Sequence, residues 1–106
     1  MKTRAQRRTE KKKQKFERQF HSQERVEFFR GLPCELTGTA NQSHNAHMKS
    51  RGAGGSYKDI VPLQFMAHKD FDEMPNEKFE AKYKRTKQSV KDKAPAYHQL
   101  WKERRR

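Results

Sequence analysis

The stretch LPCELTGTANQSHNAHMKSRGAGGSYKDIVPLQFMAHKDFDEM, residues 32–74, changes character three times, and those changes set the expected fold. Short apolar or β-favouring pieces at 33–37, 46–48 and 60–62 surround polar and glycine-rich segments at 38–45 and 52–57. That alternation predicts a short, irregular two-stranded hairpin with a long loop. From Leu63 the period turns helical: Leu63, Met66, Ala67, Phe71 and Met74 fall on one stripe, and Pro75-Asn76 closes the helix.

Outward from this centre the chain is helical and basic. Ser22 is an N-cap for a helix to about Arg30, with Val26 and Phe29 on one face and Gly31 and Pro33 behind it. Residues 3–20 are helix-prone but carry only Phe16 and Phe20 as an apolar pair, so a frayed helix or a disordered arm is expected there. Beyond Glu77, helical character resumes with sparse anchors at Phe79, Tyr83, Val90, Tyr97, Leu100 and Trp101, interrupted by Pro95. The expected organisation is a basic arm at 1–21, a central α+β domain at 22–79 and a basic helical tail at 80–106.

Composition limits what this chain can be. It has 106 residues and a formal net charge of +13, while Leu, Ile, Val and Phe make up only 15 positions. So few large apolar side chains exclude an extensive core and suggest that part of the chain orders on a partner. No apolar run reaches the roughly 18 residues that would span a bilayer, and no apolar segment follows the basic N-terminus as in a secretory signal. One cysteine, Cys34, excludes an internal disulfide and a cysteine-built zinc site. A soluble, cytoplasmic protein is expected. The charge is segregated, with +7 in residues 1–30, −1 in 31–79 and +7 in 80–106. Polyanion binding belongs to the flanks, and chemistry to the neutral middle.

In that middle, His68 and Asp72 lie four apart on the predicted helix, so both leave one face and could share a divalent cation; a plain surface contact is the competing reading. LPCELTG at 32–38, AHMKSRGAGGSYKDIVPLQFMAHKDFDEM at 46–74 and Phe79 together resemble the phage and prophage HNH endonucleases, whose pattern runs LPCxxCG, AHxxSRGAGGxxxDxVPLCxxHHxxxHxxG and then an aromatic. The resemblance covers about residues 24–101 and is dense at 32–79.

It implies a small ββα-metal fold and a metal-dependent DNA endonuclease, with one divalent ion, Mg²⁺ or Mn²⁺ favoured and Zn²⁺ or Ni²⁺ allowed. In that scheme His47 is the general base, Asp59 braces the loop and orients it, and His68 and Asp72 hold the metal; the competing reading of His47 is a half-buried strand histidine bonded to a carbonyl. An imidazole titrating near neutrality suits the deprotonation of water. The departures are as informative. The family's four zinc cysteines correspond to Cys34, Thr37, Gln64 and Ala67, so no structural zinc is expected, and Leu32, Leu36, Ile60, Leu63 and Phe65 are candidates to hold the junction by packing. Ala46 stands where many such nucleases place a ligand, which leaves two firm donors unless His44 joins them.

Lys49, Arg51, Lys58, Lys82, Lys84 and Arg85 are the candidate contacts to nucleic acid, with sequence-tolerant and salt-sensitive binding. The resemblance further implies DNA as partner, whether duplex, branched or single-stranded, a bacterial host cell, and work in recombination, replication or packaging. Two rivals remain: an HNH-like fold that binds nucleic acid without cutting it, and a small RNA-binding protein whose arms order on RNA.

Overall fold

A computed structural model describes residues 1–49 and 54–104. Among them are six α-helices and one two-stranded antiparallel sheet, an α+β arrangement. Helices α1 (Arg4–Phe20) and α2 (Gln23–Gly31) precede strand β1 (Ser43–His47). A single 3₁₀ turn (Tyr57–Asp59) leads into β2 (Ile60–Gln64), which runs directly into α3 (Phe65–Glu73). Helices α4 (Asn76–Tyr83), α5 (Lys87–Lys91) and α6 (Ala94–Glu103) complete the order.

The helix starts follow local chemistry. Thr3 and Gln6 close a reciprocal capping box on α1, and Ser22 accepts the Arg25 amide to start α2 as the sequence predicts. These caps let α1 run unbroken through a stretch too polar to pack; only Gln19, near its end, is buried. Pro95 opens α6 within its first turn instead of interrupting it, since a first-turn proline has no intrahelical amide bond to lose.

Pairing runs from Ser43 with Gln64 to His47 with Ile60, and the Met48 amide extends it to the Asp59 carbonyl at 2.7 Å. Alternation along β2 divides the core in two. Val61 and Leu63 join Ala46, Ala67, Phe71 and Phe79 on the α3 side. Ile60 joins Phe29 and Trp101 on the α2 and α6 side, with Phe20, Phe28 and Leu32 packed around them. Before β1, the chain turns back at Gly38, whose φ of 76° lies in the left-handed region, and its amide bonds the Cys34 carbonyl at 2.8 Å.

Several expectations need correction. Within the β-favouring piece at 33–37, residues 35–37 form a turn closed by the Gly38 amide on the Cys34 carbonyl, and the Glu35 amide tethers it to the Pro62 carbonyl of β2. Leu63 belongs to β2, so the α3 stripe is only Ala67 and Phe71. Met66 is 50% exposed, and Phe65, a candidate for the junction core, is 57% exposed. The 80–106 segment is no appended tail: Val90, Ala94 and Trp101 are buried in the two clusters. Its sparse anchors suffice because each joins a cluster that also holds hairpin residues. No helix among the described residues is long and apolar enough to cross a membrane.

Trp101 is 6% exposed and holds α6 against Phe29 and Ile60. Trp101→Ala is therefore expected to cost about 3 kcal/mol or more, read as a lowered urea midpoint in equilibrium unfolding. An unchanged midpoint would show that α6 is dispensable to the core.

Candidate functional site

Helix α3 and strand β1 bring three of the candidate residues together. His68 and Asp72 are one turn apart on α3, with Nε2 and Oδ2 at 3.2 Å. His44, exposed on the α3-facing side of β1, sets its ring edge-on to His68 at 6.0 Å between centroids and to Phe65 at 5.8 Å. An open cavity of about 360 Å³ is lined by these three, Lys69, Asp72 and Glu73. Two donors on one octahedral ion with bonds of about 2.1 Å stand roughly 3 Å apart. The His68–Asp72 separation of 3.2 Å matches that bite. A third donor does not converge in the same way: no set of three metal-type side chains is gathered around one point among the described residues. The residues present thus fit a cation held at two positions.

His47 lies apart from that group. Strand alternation sends Ala46 into the α3-side core and His47 to the opposite face, against α1. There its Nε2 donates to the Gln19 carbonyl at 2.8 Å, and Phe20 packs on the ring at 5.1 Å. A carbonyl only accepts, so the proton of the neutral ring belongs on Nε2 and the lone pair on Nδ1. The same bond satisfies one of the orphan carbonyls at the end of α1. Asp59 is engaged in its own turn and not on His47 among the described residues. Its carboxylate accepts the Ser56 amide at 3.0 Å, closing the 3₁₀ turn, while its carbonyl takes the Met48 amide. It braces the end of the long loop.

The four positions that correspond to zinc cysteines also converge. Cys34 is buried, and its sulfur accepts the Thr37 amide at 3.4 Å across the turn. Burial pushes the thiol pKa up, but hydrogen bonds from Gln64, Thr37 and Leu36 outweigh it and hold the group below its ordinary value. Gln64 is the residue before α3, and Ala67 is buried in that helix's first turn. The turn and the helix start thus meet through Cys34.

The predicted nucleic-acid contacts are dispersed. Lys49, Lys58 and Lys84 are exposed. Lys82 is paired with Asp70 at 2.6 Å, and Arg85 with Glu35, whose other carboxylate oxygen accepts from Tyr97. Arg51 lies outside the described residues. Sequence reasoning missed a more coherent surface. Arg4, Arg7, Arg8, Lys11, Lys15 and Arg18 all belong to α1 and, at 3.6 residues per turn, fall within an arc of about 100° over some 21 Å. The 3–4 spacing of those cations is written in the sequence, but only an unbroken helix presents it as one surface. Near the end of this stripe, Lys15, Arg18 and Gln19 face Gly54–Ser56 across a cavity of about 310 Å³.

No family model, curated protein or solved structure matches this chain.

The Gln19 bond makes a direct prediction. Long-range ¹⁵N–¹H correlation at mildly alkaline pH should show neutral His47 as the Nε2–H tautomer. A dominant Nδ1–H form would mean that the α1 carbonyl does not orient the ring.

Proposed function

We propose that this chain is a small HNH-like (ββα-metal) DNA endonuclease of a phage or prophage, acting in the bacterial cytoplasm. The observation that carries this reading is the bond from His47 Nε2 to the Gln19 carbonyl, which in the neutral ring leaves the lone pair on Nδ1. Phosphodiester hydrolysis needs such a group to accept a proton from the attacking water. A divalent cation held by His68 and Asp72 would neutralise charge on the scissile phosphate and the departing oxygen. Mg²⁺ or Mn²⁺ suits so sparse a protein donor set, since each tolerates water and phosphate oxygens in its remaining positions. His44 lies next to this pair as an additional donor.

DNA is held by charge. The α1 stripe neutralises phosphates and reads no base edge, so binding is tolerant of sequence and sensitive to salt. One site per chain makes a nick, and recombination, replication or packaging is the work that such a nuclease serves.

A second reading, a fold of this kind that holds DNA without cutting it, is favoured by Ala46, by the missing third donor, and by His47, which is half-buried, bonded to a carbonyl and on the hairpin face away from His68 and Asp72. Conversion of supercoiled plasmid to open circle decides between them. The expected result is nicking in Mg²⁺ or Mn²⁺, none in EDTA, and a loss of about 100-fold or more in His47→Ala while that variant still binds DNA. Binding without nicking in any divalent metal would establish the second reading. A strong preference for RNA would overturn both. His68→Ala with Asp72→Ala is expected to raise the Mn²⁺ concentration needed for half-maximal nicking by tenfold or more, whereas an unchanged requirement would remove these residues from the metal site.

A further inference from the structure

The junction between α1 and α2, the 3₁₀ turn and α6 enclose a second cavity, of about 250 Å³, on the side of the hairpin away from His68 and Asp72. It is lined by His21, Tyr57, Lys58, His98, Trp101 and Lys102, with no carboxylate among them. Behind it Arg25 is fully buried, its guanidinium 4.4 Å from the centre of the Phe29 ring and 5.3 Å from that of Tyr57. One guanidinium nitrogen, Nη2, donates to His98 Nδ1 at 3.3 Å, while Nε and Nη1 have no hydrogen-bond partner among the described residues. Because Nδ1 accepts that bond, neutral His98 carries its proton on Nε2 and remains a donor.

A buried cation without a carboxylate partner is costly, and the neighbouring cations add to the cost. His98 registers this: burial, then the charges of Arg25, Lys102, Lys58 and His21, hold its pKa below the ordinary imidazole value. His21 also has a φ of 73°, a left-handed conformation uncommon for a residue with a side chain. An anion in this cavity would offset the mutual repulsion and accept hydrogen bonds from lysine and imidazole donors.

We propose that His21, Lys58, His98 and Lys102, backed by Arg25, form a binding site for a phosphate group of a nucleic-acid backbone. The assignment to nucleic acid rests on the reading of the preceding subsection and on continuity. The cationic stripe of α1 reaches the cavity beside Gly54–Ser56, and the chain passes from Ser56 into Tyr57 and Lys58, while His21 directly follows α1. Successive cationic positions along one path match a polyanion better than an isolated ion.

Histidine side-chain NMR of the full chain, in EDTA so that no cutting occurs, tests the site. Inorganic phosphate is expected to shift His21 and His98 saturably at millimolar concentration, and chloride at matched ionic strength is not. A short duplex should move the same resonances at micromolar concentration. Lys58→Gln with Lys102→Gln should abolish the saturable phosphate shift and lower the magnitude of the duplex salt slope by about 1. Lys78→Gln with Lys91→Gln, which removes the same charge from α4 and α5, should leave the phosphate shift in place. Equal shifts with chloride would overturn the site. Duplex binding that leaves His21 and His98 unmoved would overturn its assignment to nucleic acid, whatever the plasmid assay shows about cutting.

Discussion

The register of the hairpin is the constraint on which the rest of the molecule depends. Pairing of His47 with Ile60 and His44 with Leu63 fixes which side chains face α3 and which face α1. A slip of one residue would turn every side chain of one strand to the other face. Ala46 would leave the buried α3 layer, and His47 would leave the Gln19 carbonyl. Both strands resist that slip, because β2 is buried along Ile60–Leu63 and each of its faces meets a different core. The tether from the Glu35 amide to the Pro62 carbonyl and the extension through Met48 and Asp59 hold the same register from outside the strands. A hairpin of ten residues thereby orders a chain with few large apolar side chains.

Charge is distributed by the same logic. The neutral centre and the basic C-terminal part are joined by two ionic contacts: Glu35 takes Arg85 and Tyr97, and Asp70 takes Lys82 and Tyr83. Bonds from Lys82 and Tyr83 hold the Asp70 carboxyl below its ordinary range, and burial and the carboxylate partners hold both tyrosines far above theirs. These contacts spend cations from the C-terminal half on structure. Helix α1 spends few of its own, so the free positive field lies at the N-terminal end of the chain.

Most of the fold was legible where local chemistry decides it. Ser22, the hairpin, and the His68–Asp72 spacing are all read from neighbouring residues, and each appears in the structure at or near its expected place. The reading failed where distant contacts decide. Phe65 looks like a core residue by type, yet the first turn of α3 leaves it outside. Val90 and Trp101 look too sparse to build a core, yet each joins a buried cluster that contains residues of β2. Of the candidate site, the resemblance proposed residues but not their arrangement. That His47 and His68 stand on opposite faces of one hairpin follows from alternation, which the sequence shows only once the strand limits are known.

Ala46 bears most directly on the proposed chemistry. It is fully buried in the cluster that contains Ala67, so two small residues occupy the layer where α3 approaches β1. A ligand-sized side chain at position 46 would overfill that layer and displace the helix. His44, two residues earlier on the same strand face, lies about 7 Å along the strand at the exposed rim beside His68. On this reading the metal-facing side of the hairpin is retained while its third donor has moved outward. A cation held there keeps more of its coordination for water and phosphate oxygens. Its affinity would then depend on the nucleic acid itself, and metal and substrate would bind cooperatively because each would complete the site for the other.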